Sequence, residues 1–387
     1  MVEPANTKTR NEAPELVKIA KLLTKEGPNI NLIARTLGVY KETVRYRVKN
    51  KILRKGFDLQ ATVDCEALGL VRIAVKAKLS GAFEPFAKQL FYSLSELSYL
   101  ASYQQAMPDD FWMLHFSVPL EFQMELEDFI INLKELGIFT SVDFLEFDWF
   151  RNAPMKAEYY DFESNRWDFD WTSSSDRAGM SQGTKHKSRK IDWIDLLILK
   201  ELEIDATSSL REIRDSLASK KNGDLKYQTL EWHYRTHVLR KGLIKGYTIR
   251  WLGTGYDAEL DKVGQRQHKY VVLNVVVRNV TQSERLKLSG AMNHLPFLWA
   301  EMAGRDYAAQ LAFPVEMVNE AMLYLSEVIH PVVERAQVFA ENQRNSVSFT
   351  IPYRSWNIVD KRWGFEKEPL LARFQSLVLE VRNGRVV

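Results

Sequence analysis

Apolar positions along this chain switch between helical and strand spacing in one order, twice. From Glu15 to Lys25, Leu16, Ile19, Ala20, Leu22 and Leu23 recur on one helix face. After the breaker Gly27-Pro28, Ile30, Ile33, Ala34 and Leu37 mark a second short helix, and Gly38 turns the chain into a third, basic helix ended by Gly56. Strand-type segments then run from Leu59 to Val63, Leu70 to Leu79, Tyr99 to Gln105, Phe111 to Val118 and Thr140 to Phe150, with helices from Phe83 to Leu94 and from Leu120 to Leu136. The second pass predicts helices from Ile191 to Leu202, Leu210 to Leu217 and Tyr227 to Leu239, then a strand from Ile244 to Trp251. It continues with Tyr270 to Arg278 (strand), Gln282 to Met292 (helix), Phe297 to Met302 and Tyr307 to Phe313 (strands), Val315 to Val328 (helix) and Ala336 to Glu341 (strand). The expected fold class is therefore α+β: two winged helix-turn-helix domains, each followed by a βαββαβ ferredoxin-like domain, as an internal duplication.

Residue identities support the repeat. YKETVRYRVKNKILRKGF, from Tyr40 to Phe57, aligns without a gap on KYQTLEWHYRTHVLRKGL, from Lys226 to Leu243, 186 residues later. Met107 and Pro119 fall on Met302 and Pro314 at a common offset of 195. The second copy has a longer turn, Ser219 to Asp224, which either displaces its third helix or adds a phosphate contact. Each half ends in an aromatic tail, Arg166-Trp167-Asp168-Phe169-Asp170 and Arg362-Trp363-Gly364-Phe365-Glu366, expected to fold back over its own sheet, with a partner or ligand surface as the alternative. Thr172 to Lys190 is rich in Ser, Gly, Lys and Arg without a hydrophobic period and reads as a linker spanning about 25 Å. The expected divisions are 1–64, 65–171, 172–190, 191–256 and 257–387.

Composition narrows the class. The 387 residues are 45% hydrophobic and 12% aromatic, ample for several cores. A single cysteine, Cys65, excludes a disulfide framework and a multi-cysteine zinc site. No apolar run approaches the roughly 20 residues of a membrane span, and the N-terminal stretch lacks the core of a secretory signal, so the expected location is cytoplasmic. Charge is unevenly placed: residues 1–60 hold 13 Lys+Arg against 6 Asp+Glu and residues 185–250 hold 15 against 9, whereas residues 61–171 hold 8 against 19. Basic character thus gathers where the repeated helix lies, a distribution that suits contact with phosphates or, more blandly, two solvated helix faces.

A helix-turn-helix followed by βαββαβ resembles the leucine-responsive regulatory protein/asparagine regulator (Lrp/AsnC) family of prokaryotic transcription factors. The likeness is carried by Leu32-Ile33-Ala34-Arg35-Thr36-Leu37-Gly38-Val39 running into Thr43-Val44-Arg45-Tyr46-Arg47-Val48, by Leu68-Gly69-Leu70, by Gly242-Leu243-Ile244-Lys245-Gly246-Tyr247-Thr248 and by Gly304-Arg305-Asp306-Tyr307. The resemblance implies RAM-type ferredoxin-like domains pairing through their sheets, here within one chain as a pseudo-dimer open to further homo-oligomerisation. It also implies a nucleoid-associated regulator that binds double-stranded DNA and no cofactor. Lys41, Glu42, Arg45 and Tyr46 in the first copy, and Tyr227, Gln228, Glu231 and Trp232 in the second, are the expected base readers; Lys49, Arg54, Lys55, Arg235, Arg240 and Lys241 are the expected phosphate contacts. Unlike readers imply two unlike half-sites.

The resemblance further implies one small, amino-acid-like effector at Gly304, Asp306 and Tyr307, because Asp109-Asp110-Phe111-Trp112 replaces that motif in the first half; a strand turn shaped by Gly304 and Asp306 is the alternative. His233 and His237 stand four apart, yet no HExxH pattern or cysteine completes a ligand set, so no metal is expected and both imidazoles are expected to face DNA or solvent. An enzyme alternative uses the same architecture: siroheme decarboxylases resemble Lrp/AsnC proteins and use histidine near a tetrapyrrole pocket. His115 lies in a predicted strand and its equivalent is Gln310, but the expected histidine- and arginine-rich strand segment is missing. The weight of the sequence therefore falls on a non-enzymatic regulator, with the decarboxylase and a DNA-independent scaffold as alternatives.

Overall fold

The computed structural model describes residues 12–171, 188–219, 225–251 and 270–383. Most of the linker (172–187) and of the insertion (220–224) lies outside these residues. Three helices, α1 (Glu12–Glu26), α2 (Ile30–Leu37) and α3 (Lys41–Tyr46), open the first half. Asn29 caps α2 by accepting from the Leu32 amide, and Gly38 ends it at φ 67°. The basic helix is α-helical only at its start. It widens into a π-helical stretch, Arg47–Ile52, and closes as a 3-10 turn, Leu53–Lys55, before Gly56.

The strand that follows, β1 (Asp58–Val63), does not fold back as a wing on its own helices. It leads to β2 (Leu70–Leu79), α4 (Ala87–Leu97), β3 (Leu100–Met107), β4 (Trp112–Pro119), α5 (Gln123–Glu135), β5 (Phe139–Leu145) and β6 (Phe147–Asn152), then to the two-residue strands β7 (Tyr160–Asp161) and β8 (Arg166–Trp167).

The second half contains α6 (Trp193–Ile204), α7 (Leu210–Ser219), α8 (Tyr227–His233) running into a π-helical stretch Tyr234–Leu239, and β9 (Ile244–Arg250). After it come β10 (Tyr270–Val277), α9 (Gln282–His294), β11 (Leu298–Gly304), β12 (Tyr307–Pro314), α10 (Val318–Ile329) and β13 (Ala336–Ser348). The short strands β14 (Trp356–Asn357) and β15 (Arg362–Trp363) and a helix absent from the sequence expectation, α11 (Lys367–Arg382), end the described chain. Both α6 and α9 begin with full capping boxes, Asp192 with Asp195 and Thr281 with Glu284. Among the described residues no helix is long and apolar enough to cross a membrane.

One antiparallel sheet of nine strands, in the order β5-β2-β4-β3-β13-β10-β12-β11-β6, organises the molecule. Its two edge strands are consecutive in sequence and separated only by Glu146, so the sheet rolls on itself and its two parts meet face to face. The segment from Thr140 to Phe150, expected as one strand, is thus two strands at opposite edges. Glu146 is where the chain changes edge. Inside the roll lie Ala74, Phe111, Met113, Leu145, Val276, Ala308 and Phe339, with Phe111 edge-on to Phe339. Alternate residues of the same strands face outward, and Val75, Leu114, Phe116, Val275 and Leu311 are buried in the main apolar core.

Asp306 holds the crossover in place. Fully buried, it accepts from the Asn279 amide at 2.9 Å and the Glu146 amide at 3.0 Å, and its own amide donates to the Glu146 carbonyl at 3.1 Å. Gly304 admits the same segment: a Cβ there would stand 2.7 Å from both the Asp148 nitrogen and the Glu146 oxygen. Tyr307 is buried with its hydroxyl donating to Glu301 at 2.8 Å. Of the three residues expected to bind an effector, Gly304 and Asp306 are engaged in closing the sheet, and Tyr307 is buried against Glu301 of the neighbouring strand. Asp306→Ala leaves two amides without acceptors and should cost about 2–4 kcal/mol of stability in urea unfolding. A loss below about 1 kcal/mol would show that the crossover is held by other means.

Candidate functional site

The strands after the two basic helices pair with each other. β1 and β9 form an antiparallel ribbon in which Asp58 faces Arg250 and Leu59 faces Ile249, and the hydroxyls of Thr62 and Thr248 meet at 3.0 Å. This ribbon covers one end of the rolled sheet. Beneath it is an interior cavity of about 140 Å³, lined by Gln60, Thr62, Arg72, His115, Glu203 and Gln310 among others. Register explains why these groups converge: Arg72 lies opposite Ser117 and Ala74 opposite His115, so Arg72 and His115 share the inward face. Val71, Ile73 and Val75 take the alternate positions of the same strand.

A much larger cleft, about 2210 Å³, adjoins the cavity. Thr62, Val63, Arg72, Phe150, Asn152 and Thr248 line both spaces. Basic side chains come to the cleft from several elements: Arg72 from β2, Arg151 from β6, Arg189 and Lys190 before α6, Lys241 and Lys245 around the start of β9, Arg285 from α9, and Lys361 and Arg362 from the tail. Some of these charges are already paired. Arg151 meets the buried Glu301 at 2.6 Å, and Lys245 meets Asp64 at 3.1 Å. Arg72 is held over the Phe150 ring, 4.7 Å from its centroid, and among the described residues its side chain donates to the Cys65 sulfur at 3.6 Å. Its Nε is buried with no acceptor, leaving a guanidinium at the junction of cleft and cavity able to take an anion.

Burial tunes the cavity's titratable groups in opposite directions. Desolvation, helped by the positive charge of Arg72, lowers His115 to about 4, so the imidazole is neutral near pH 7. Desolvation raises Glu203 to about 7 against the opposing effects of the Ile351 amide, which donates to it at 2.7 Å, and of Arg72. Burial likewise raises Glu341 to about 7, and this group accepts from Gln310 at 2.9 Å. A carboxyl whose pKa is raised to about 7 keeps a large protonated fraction at neutral pH and can act as an acid there.

The residues expected to read DNA sit elsewhere. Lys41, Glu42, Arg45 and Tyr46 are exposed on α3, and Gln228 and Trp232 are exposed on α8 beside the half-buried Tyr227 and Glu231. Arg45 pairs with Glu42 and Arg235 with Glu231 within their own helices, which neutralises charge meant for phosphates. Lys49, Arg54 and Arg240 are exposed; Lys55 turns to the Phe162 carbonyl, and Lys241 donates to the Lys190 carbonyl at 2.7 Å. His233 and His237 are not solvated as expected. They turn inward to Asp195, because one face of α8 and its π-helical continuation packs on α6.

No family model and no curated protein matches the chain. Solved structures do match, among them the siroheme decarboxylase NirDL and NirDL in co-complex with an iron-uroporphyrin III analogue. Each is 11% identical with a TM-score of 0.51; the first match covers 95% of this chain and 99% of that one, the second 96% and 99%. At that identity the likeness speaks for the fold, an α+β architecture of the kind shared with Lrp/AsnC proteins. It also corrects the functional expectation. The structures matched from end to end are those of an enzyme, which contradicts the expectations of a DNA-binding regulator and of a non-enzyme. Sequence reasoning singled out His115 but missed Arg72 and Glu203.

Glu203 makes a testable contribution to stability. Its folded pKa lies above the ordinary carboxylate value, so its share of stability is complete below about pH 4.5 and is lost as pH rises through about 7. Relative to Glu203→Gln, the wild-type protein should lose about 1–2 kcal/mol between pH 5 and pH 8 in denaturant unfolding. Parallel pH profiles for the two proteins would remove Glu203 from the desolvated site.

Proposed function

We propose that this chain is a tandem Lrp/AsnC-type scaffold put to enzymatic use, decarboxylating a carboxylate-rich tetrapyrrole of the siroheme class. On this reading, 1–64 with 65–171 and 191–256 with 257–387 are two copies of one unit, joined as an intramolecular pseudo-dimer. The observation that carries the reading is the junction at Arg72, where a wide basic cleft opens into a small polar cavity holding one neutral imidazole and one protonated carboxyl. The chain-long match to siroheme decarboxylase supports it.

The two spaces suit two parts of such a substrate. The cleft has the volume for a macrocycle, and its aromatic walls, Phe150, Trp149 and Tyr247, offer apolar faces beside cations that match peripheral carboxylates. The cavity is far below the roughly 300 Å³ of an ordinary ligand pocket and takes only a side arm. An acetate arm passing Thr62 and Thr248 meets Arg72 first, and neutral His115 is placed to donate a hydrogen bond to it. Loss of CO2 breaks the bond between the carboxyl and methylene carbons and leaves the electron pair on the methylene, delocalised into the ring. One proton from Glu203 then completes a methyl group, and solvent restores the acid. Water is kept from the intermediate by the β1–β9 ribbon.

Absorbance titration of the full-length protein with iron-uroporphyrin III should perturb its Soret band, and Arg72→Ala should weaken binding about 10–100-fold. Glu203→Gln should bind normally and release CO2 from siroheme at least about 100-fold more slowly. The wild-type rate should fall as pH rises above about 7, where Glu203 loses its proton. A Soret band unmoved by the protein would end the proposal.

A further inference from the structure

Where the N-terminus of α6 meets α8 and its π-helical continuation, four side chains turn toward one point. Asp192 and Asp195 form the capping box of α6, in which Asp192 Oδ1 accepts from the amides of Ile194 and Asp195 at 3.0 and 3.1 Å. This leaves Asp192 Oδ2 directed at the imidazoles, 3.4 Å from His233 Nδ1 and 3.8 Å from His237 Nδ1. Asp195 Oδ1 lies 2.8 Å from His233 Nδ1 and 3.0 Å from His237 Nδ1. All four ligand atoms fall within 4.8 Å of one another.

Hydrogen bonding accounts for only part of this arrangement. Each imidazole has one Nδ1 position, and both are directed at Asp195, so among the described residues the second oxygen of Asp192 faces them without a donor committed to it. Among the described residues neither carboxylate has a lysine or arginine within ion-pair distance, although Asp195 is fully buried. Two carboxylates brought together without a fixed cation form a site of negative potential, and the softer imidazole nitrogens select the ion that relieves it.

We infer that Asp192, Asp195, His233 and His237 bind one Zn²⁺-class divalent ion. In a tetrahedral zinc site with ligand bonds of about 2.0–2.1 Å, neighbouring ligand atoms stand about 3.3–3.4 Å apart. The carboxylate–imidazole separations of 2.8 to 3.8 Å straddle that value and all four atoms lie within 4.8 Å, so side-chain rotations complete the shell. Trp232 packs edge-on against both imidazoles, with centroids at 4.9 and 4.7 Å, and limits their rotation. Asp192 and His237 also line the main cleft, which gives an ion its way in. Once bound, the ion ties α6 to the continuous helix that carries both histidines and fixes one wall of the cleft.

The test uses the full-length protein, stripped with chelator and titrated with Co²⁺ and then Zn²⁺, with no tetrapyrrole present. The expected result is the intense visible absorption of four-coordinate Co²⁺ saturating at one equivalent, its loss on adding Zn²⁺, and a raised thermal midpoint with either metal. Asp192→Asn, whose Oδ1 still caps the helix, and His237→Ala should each weaken Zn²⁺ binding at least about 100-fold with an unchanged far-ultraviolet circular dichroism spectrum. Wild-type protein that takes up no Co²⁺ at millimolar metal overturns the site, as does undiminished binding by folded Asp192→Asn protein. Either failure leaves the decarboxylase reading untouched, because that reading makes no use of these four groups.

Discussion

A single residue, Glu146, carries the chain from one edge of a nine-stranded sheet to the other, and the rest of the molecule is arranged around that closure. A strand edge presents unpaired amides and carbonyls, and rolling the sheet until its edges become neighbours is one way to protect them. The short connection is possible because it is fixed from the far side: Asp306 takes the Glu146 amide, Arg305 meets the Glu146 carboxylate at 3.0 Å, and Gly304 gives the backbone room to pass. Closing the roll converts the inward faces of β2, β4, β10 and β12 from a solvent-facing surface into the walls of a cavity. The altered ionisation of His115 and Glu203 follows from that enclosure.

Each half is completed by parts of the other. α1 of the first half packs on β9 of the second, α6 of the second packs on β1 of the first, and β1 pairs with β9. The aromatic tails are exchanged in the same way, contrary to the expectation that each covers its own sheet. Trp167 meets Trp251 and Phe297, whereas Trp363 meets Tyr99 and donates its indole N–H to the Leu68 carbonyl at 2.9 Å. Behind it, Phe374 of α11 packs on Phe129 of α5. Surfaces of this size seek a partner when left bare, and covalent linkage supplies that partner at high effective concentration.

How much of this was legible follows from what a one-dimensional pattern contains. Strand and helix spacing placed many of the regular elements, and Leu70–Leu79 is reproduced without change, but α11 is missing from the expectation and β13 runs on from Glu341 to Ser348. The break within Thr140 to Phe150 was invisible because Leu145 and Phe147 preserve the period of two across it. Arg72, Lys76 and Lys78 alternate with apolar residues along β2, and alternation shows only that one face is polar; it is silent on whether that face meets water or another sheet. The bend into π-helix is equally hidden: the spacing of His233 and His237 is visible in the sequence, but their carboxylate partners stand 38 to 45 positions earlier in the chain.

The two halves have not kept equal chemistry, and this bears on where catalysis can occur. Counting from the prolines that end β4 and β12, Arg72 corresponds to Val272 and His115 to Gln310. On the side of the second half the guanidinium and the imidazole are thus replaced by a side chain that carries no charge and an amide already bonded to Glu341. An arm entering from that side would meet no anchoring cation at the corresponding position. On the proposed reading the chain therefore holds one chemical site rather than two, and the second half serves it from outside: its strand β9 covers the cavity, and Glu203 of its helix α6 is the proposed acid. Arg72 comes from the first half and Glu203 from the second, so neither half alone assembles the proposed pocket.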